Sequence, residues 1–377
     1  MADRLPKPLA GLRVVELARV LAGPWCGQLL ADLGAQVIKV ERPGAGDDTR
    51  QWGPPFVTGA DGEALGAAYY HSCNRGKQSV AIDIASEDGQ TALRDLLADA
   101  DVVIENYKVG GLVKYGLDPA RLRADFPRLI VCSVTGFGQT GPYAHRAGYD
   151  YIVQAMSGFM SLTGEPDGPP QKAGIAYADI FTGMYSAVAI LAALRRRDVT
   201  GVGAHIDMAL LDSQVAVLAN QAANYLASGV VPKRMGSGHA NVVPYQVFAT
   251  ADGQLVIAVG NDGQYRKLCA ILGMPEWGED PRFATNAARL ANRTELIPLL
   301  AAKIAAWDAQ PLSFALEAEG VPAGPINDLA GVFADPQVVA RGMRFRPEGA
   351  AIDAVASPIV IDGERMIAPA GAPPLGG

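Results

Sequence analysis

Two short apolar runs, LRVVEL at 12–17 and QVIKVE at 36–41, flank a stretch at 24–33 that reads as a helix. The unit predicted is strand, helix, strand. The alternation continues through SVAIDI at 79–84, a helix over 87–99, DVVIE at 101–105 and LIVCSV at 129–134. Near-continuous apolar strands separated by helices predict an α/β fold with a parallel sheet covered on both faces. Ligands of such sheets sit beyond the carboxyl ends of the strands, so the loops 18–24, 42–56, 106–111 and 135–150 carry the information about function.

The run AGIAYADIFTGMYSAVAILAAL at 173–194 is the anchor of the chain. From Phe181 onward, Met184, Tyr185, Val188, Leu191 and Ala192 recur at three- and four-residue spacing, which predicts a core-facing helix starting at or just after Asp179. A carboxylate there feels the positive end of the helix dipole and can accept the free N–H groups of the first turn. Both effects favour ionisation and suit a nucleophile, while the plainer reading of Asp179 is an N-cap. Beyond Arg197 the pattern changes and a second domain is expected. A glycine-rich turn at 199–205 precedes a helical 206–226, and 227–243 is irregular with Arg234 and His239. Strands at 244–250 and 254–260 predict a hairpin over Ala251-Asp252-Gly253. The segment 260–264, with Gly260 and Gly263, reads either as a flexible loop able to move over a ligand or as an ordinary strand-to-helix turn. Helices at 265–272, 289–307 and 311–319 follow, then an extended return segment at 321–327.

Length and charge narrow the classes. A chain of 377 residues exceeds one core, so two domains are expected, and 49% hydrophobic residues give ample burial. A net charge of −7 argues against nucleic acid and anionic membrane as main partners. Cys26, Cys73, Cys132 and Cys269 are dispersed without a CxxC, so neither a disulfide framework nor a metal site is indicated. The N-terminus has no apolar signal core and no run is long enough to span a bilayer, which predicts a cytoplasmic protein.

The strand-end loops are rich in groups that suit a phosphate-bearing ligand: Arg19, Arg42 and Arg50, then Asn74, Arg75 and Lys77, then Asn106, Tyr107, Lys108 and Lys114. Glu41 ends the second strand where a dinucleotide enzyme would bind a ribose. However, the first turn, ARVLAGPWCGQ, lacks GxGxxG and places Pro24 where a pyrophosphate needs the backbone.

The segments PLAGLRVVELARVLAGPWCGQLLADLGAQVIKVERPGAGDDTRQWGPPF, ENYKVGGLVKYGL, GFGQTGPYAHRAGYDYIVQAMSG, AGIAYADIFTGMY, VPYQVF and VPAGPIN cover almost the entire chain in order. Together they resemble the family III CoA-transferases, the CaiB/BaiF family. Through GAGDDTR, WGPPF, RAGYD, ANYL and GPIN the chain is most similar to the branch acting on dicarboxylic acids, with succinyl-CoA as donor and glutarate or hydroxymethylglutarate as acceptor. The resemblance implies an interlocked homodimer. Each chain would have a Rossmann-like large domain built from both chain ends (1–198 and 313–377), a linker helix at 199–230 and a small α+β domain at 231–312. It implies Asp179 as the catalytic aspartate, and Gly260 and Gly263 on a loop that shields its acylated intermediates. Val20, Arg42, Asn106, Tyr107 and Lys114 would hold CoA, with Arg75, Lys77 and Arg146 as further candidates. CoA is then a substrate, and no tightly bound cofactor is expected. Arg19, Tyr149 and His239 are candidates for the acid substrate, Arg50, Arg146 and Arg234 less so. Acyl-CoA racemases of this fold carry a histidine in the segment corresponding to Tyr149-Asp150; a tyrosine is a poor base near neutral pH, which favours transfer over racemisation, with an acyl-CoA racemase or another CoA-thioester isomerase or hydratase of the same fold as the alternative. Relatives continue past the equivalent of 373–377 with a further helix, so a truncated chain or a shortened large domain is expected.

Overall fold

The computed structural model describes residues 5–376. Six strands form one parallel sheet: β1 (Arg13–Glu16), β2 (Gln36–Glu41), β3 (Lys77–Ala81), β4 (Val102–Glu105), β5 (Ile130–Thr135) and β6 (Ala204–Ala209). Their order is β3-β2-β1-β4-β5-β6, every neighbour pair parallel. Successive strand residues point to opposite faces, so Val14, Val102 and Ile104 enter one core while Val15, Val103 and Val131 enter the other. Helix α1 (Ala22–Asp32) supplies Ala22, Cys26 and Leu30 to the first core; α2 (Glu87–Ala98) supplies Leu93 and Leu97 to the second. The strand order reverses between β1 and β4, and the loops leaving those two strands border the crevice where such sheets bind ligands.

β6 departs from the helix expected over 206–226. In AHIDMA, His205 and Asp207 face outward while Ile206 and Met208 pack partly against the core. This two-residue alternation marks a half-exposed edge strand, and the helices start only afterwards, at Leu210–Ala216 and Ala219–Ser228.

Helix α3 (Asp150–Met156) precedes α4 (Tyr177–Thr200), which begins two residues before Asp179. The periodicity of α4 is as expected, but its facing is inverted. The buried face is made of Ala178, Thr182, Gly183, Ser186, Ala187, Ile190, Ala193 and Leu194. Met184, Tyr185, Val188 and Leu191 point outward, Val188 with 63% exposure. Close approach to α1 is the reason: a Cβ on Gly183 would lie 2.7 Å from the Ala22 carbonyl oxygen, so only the small-residue face fits. By length and apolarity α4 is also sufficient to cross a membrane, contrary to the expectation that no run is. Here it is a core helix, with Ile190 fully buried and Arg197 tied to Asp101 at 2.9 Å.

By internal contacts the chain divides into two units. The first contains the parallel sheet and joins the described parts of 1–160 and 335–377 to Lys172–Ala219. The second, Ser161–Gln171 with Asn220–Ala334, has an antiparallel sheet of β7 (Tyr245–Ala249), β8 (Gln254–Ala258) and β9 (Ala323–Pro325) in the order β9-β8-β7. Its core gathers Phe248, Ile257, Leu268, Leu300 and Leu316 from those strands and from α5 (Asp262–Ile271), α6 (Arg293–Ile304) and α7 (Ala309–Ala318).

In the first unit the C-terminal segment is held by Asp32. Its carboxylate accepts from Arg75 Nε and Nη2 at 3.0 and 2.6 Å and from the Ala368 N–H at 2.8 Å, while Arg75 Nη1 donates to the Val355 carbonyl at 3.0 Å. Asp32→Ala strands a buried guanidinium, which costs about 3–5 kcal/mol, so the urea midpoint at pH 7 should fall well below that of the parent.

Candidate active site

The loop after β1 and the loop after β4 are fastened to each other at the point where the sheet reverses. Arg19 N–H donates to Asn106 Oδ1 at 2.9 Å, and Asn106 Nδ2 returns a bond to the Arg19 carbonyl at 2.7 Å. A cavity of about 450 Å³ opens above them. Arg19, Val20, Asn106 and Tyr107 line it from the two loops, Lys108 and Lys114 from the segment that follows, and Arg146 and Tyr149 from the turn before α3. Asp179 is in its wall. Lys108, Lys114 and Arg146 have no acidic partner within salt-bridge distance among the described residues; Arg19 is bridged to Asp48 at 2.7 Å. The ring of Tyr143 is 4.6 Å from the Arg146 guanidinium. The cavity is therefore a cationic, partly apolar pocket containing a carboxylate.

Asp179 is not the N-cap of α4. Asp150 does the capping from 29 residues upstream in the chain: its Oδ1 accepts from Ala178 N at 2.8 Å and Asp179 N at 3.3 Å. Gln154, one turn along α3, fixes Asp150 by donating to Oδ2 at 2.6 Å, and its own Oε1 accepts from Ala173 N at 2.8 Å. With the helix N–H groups taken, Asp179 keeps two influences that oppose ionisation. Burial, then the like charge of Asp150, push its carboxyl up to about 7. This reverses the expectation that the helix start favours the ionised form.

A second cavity of about 310 Å³ lies at the ends of β1, β2 and β3 and contains Arg42, whose guanidinium has no acidic partner among the described residues. Arg19, Tyr107 and Tyr115 line both cavities. Continuity through these three side chains suits a long ligand with separated anionic and acyl ends.

Other expected site residues are placed differently. Arg75 spends its charge on Asp32. Lys77 is buried against Glu16 at 2.8 Å and Asn74 at 2.9 Å. Neither presents its charge to the two cavities. Arg50 and Glu41 satisfy each other at 2.7 and 2.9 Å, and Glu41 also accepts from Ser79 Oγ at 2.6 Å, which leaves it no role on a ribose. Gly23 and Gly27 serve packing: a Cβ on Gly27 would lie 1.9 Å from the Glu16 carboxylate.

In the second unit, the 260–264 segment is a capped strand-to-helix turn rather than a free loop. Asn261 is the N-cap of α5 and accepts from Gln264 N at 2.9 Å; Gln264 Oε1 takes the Gly260 N–H at 2.8 Å, and its Nε2 donates to the Gly320 carbonyl at 2.9 Å. Gly263 is already in the first turn of α5. His239 accepts from Asn241 N at 3.0 Å, and Arg234 donates to the Gly168 carbonyl at 2.7 Å.

Sequence reasoning passed over three groups. Asp150 and Gln154 form an i, i+4 pair on α3 that was visible in DYIVQ. Tyr69, on the helix Ala68–Cys73, left no signal; burial first, and then the charges of Asp179 and Asp150, raise its hydroxyl well above the usual phenol range, so it stands within electrostatic reach of both carboxylates. Carbon-13 titration of labelled aspartate carboxyls should show Asp179 ionising near pH 7, and Asp150→Asn should move that midpoint towards, though not fully to, the ordinary carboxylate value, because burial remains.

Residues 9–377 match the model of CoA-transferase family III. The chain is 59% identical over 364 residues to succinate–glutarate CoA-transferase of Agrobacterium fabrum, covering 96% of this chain and 91% of that one. It is 44% identical over 352 residues to the human succinyl-CoA:glutarate CoA-transferase, covering 93% and 79%. Among solved structures, a CaiB/BaiF family protein from Brucella suis superposes with a TM-score of 0.88 at 56% identity, covering 99% of this chain and 97% of that one. The chain belongs to the family III CoA-transferases and is an enzyme of that family.

Proposed function

We propose that this enzyme moves CoA from succinyl-CoA to glutarate or a closely related dicarboxylic acid, with Asp179 carrying the acyl group. The observation that carries the reading is the position of Asp179, a carboxylate with a raised pKa in the wall of a cavity whose other charged walls are cationic. The names of the similar proteins from Agrobacterium fabrum and human supply the donor and acceptor.

An ionised Asp179 oxygen attacks the donor thioester carbon; the C–S bond breaks and CoA leaves as thiolate, giving a mixed anhydride. The thiolate attacks the aspartyl carbonyl of the anhydride and expels succinate, leaving an aspartyl thioester. The acceptor carboxylate then attacks that thioester, releasing CoA thiolate and forming a second anhydride. Attack of CoA on the acceptor's acyl carbon completes the new thioester and returns the Asp179 carboxylate. A carboxyl ionising near 7 is a stronger nucleophile than one ionising near 4, yet is about half ionised at neutral pH. Arg42 suits the phosphate end of CoA. Arg146, without an acidic partner among the described residues, suits the distal carboxylate better than Arg19, whose charge is shared with Asp48. Among the described residues no histidine lines the Asp179 cavity, which supports transfer over proton exchange at an α-carbon.

The outward stripe of α4 and Tyr151, Ile152 and Met156 of α3 are exposed apolar residues that suit the homodimer of the family.

Asp179→Asn should lower succinyl-CoA:glutarate exchange by at least about a thousandfold while CoA dissociation constants stay within about threefold, a split read by turnover and by calorimetry. In the parent, kcat/KM should fall about tenfold per pH unit below 7, since the protonated form cannot attack. A screen of glutarate, hydroxymethylglutarate, itaconate, mesaconate and citramalate as acceptors ranks the acid; absence of turnover with all dicarboxylates excludes the proposal. Val188→Asp would bury a charge in that dimer and should lower the melting temperature by several degrees, read by scanning calorimetry.

A further inference from the structure

Val20 holds a φ of 72°, in the left-handed region that a β-branched residue enters at an energetic cost. It stands on the loop between β1 and α1 that walls the Asp179 cavity. Strain of this kind persists only where the surroundings fix it, and here the backbone groups of Arg19 and Val20 and the Ala18 carbonyl all have partners. The Ala18 carbonyl accepts from Lys39 Nζ at 2.9 Å. Both backbone groups of Arg19 are bonded to the Asn106 side chain. The Val20 N–H donates to the Asp47 carboxylate at 3.2 and 3.3 Å, and the Val20 carbonyl accepts weakly from Cys73 Sγ at 3.6 Å.

Asp47 is the one charged acceptor among these. It is 1% exposed, is bonded to Thr49 N and Oγ1 at 3.0 and 2.8 Å, and meets Lys39 Nζ at 2.9 Å. Lys39 in turn is fully buried against Glu16 at 3.0 Å. Although burial opposes its ionisation, Lys39 and the Thr49 bonds keep the Asp47 carboxyl below its ordinary range, so it is a permanent anion beside the Val20 N–H.

We propose that Asp47 is a positioning residue of the transfer reaction: by gripping the Val20 N–H it holds the loop in its left-handed turn and so fixes the wall against which acyl-CoA seats. This rests on CoA occupying the cavities that share Arg19 and Tyr107. Asp47 also caps the short turn Asp48–Gln51, a role that concerns stability alone. The two roles separate through the substitution Val20→Gly, since glycine adopts a positive φ without the Cβ penalty.

The experiment is a double-mutant cycle of Asp47→Ala with Val20→Gly, read as KM for succinyl-CoA, kcat and melting temperature. In the parent background Asp47→Ala should raise KM about tenfold or more with kcat changed less than about threefold; in the Val20→Gly background the same change should raise KM less than about threefold. A capping role alone lowers the melting temperature equally in both backgrounds and raises KM by the same factor in each, which overturns the proposal. If Asp47→Ala does not fold, Asp47→Asn is compared in the same two backgrounds, and equal factors overturn it again. Arg42→Ala, measured by CoA calorimetry, tests the underlying reading separately: unchanged CoA affinity refutes CoA in this cleft, whereas weakened affinity with equal factors in the cycle refutes only the role of Asp47.

Discussion

Four buried charges tie three neighbouring strands and the loop after the second to one another. Glu16 on β1 takes Lys39 from β2 and Lys77 from β3, and Lys39 also takes Asp47. Two acids and two bases balance within the group. Such clusters contribute little net stability, since desolvation offsets attraction, but leaving one member alone costs about 3–5 kcal/mol. The group therefore acts as a unit. It sets where the β1–α1 loop starts through the Ala18 carbonyl and where its turn closes through Val20.

The Asp179 side of the crevice has an opposite arrangement, two like charges side by side. Asp150 accepts the N–H groups at the start of α4, and burial, then the like charge of Asp150, raises the Asp179 carboxyl. One carboxylate is stabilised by the helix while its neighbour, partly buried and without a hydrogen bond to its side chain among the described residues, is made basic. Two aspartates of the same type thus acquire different chemistry from their surroundings.

Much of the fold was legible because its strands are apolar on both faces and its helices carry clear periodicity. The parallel sheet, the strand-end loops and Asp179 follow from those patterns. The facing of α4 does not: spacing identifies a stripe, but which stripe turns inward depends on how near α1 comes, and that is set by Gly183 and by the small residues around it. β6 was hidden for a related reason, since its alternation spans only six residues beside a helix. The charges of Arg75 and Lys77 look like ligand-binding groups in sequence, and only their partners Asp32 and Glu16, distant along the chain, reveal that they are internal. The capping of α4 by Asp150 is likewise a long-range contact, which is why helix-dipole reasoning gave the wrong sign for Asp179.

The tight seat of α4 on α1 has a mechanical meaning. Asp179 lies one turn before Gly183, where the helices touch backbone to side chain and no slack remains for the helix to slide or tilt. The Asp179 carboxylate is thereby a fixed reference point, and accommodation of ligands of different length has to come from the opposite walls of the cavity, whose side chains sit on loops.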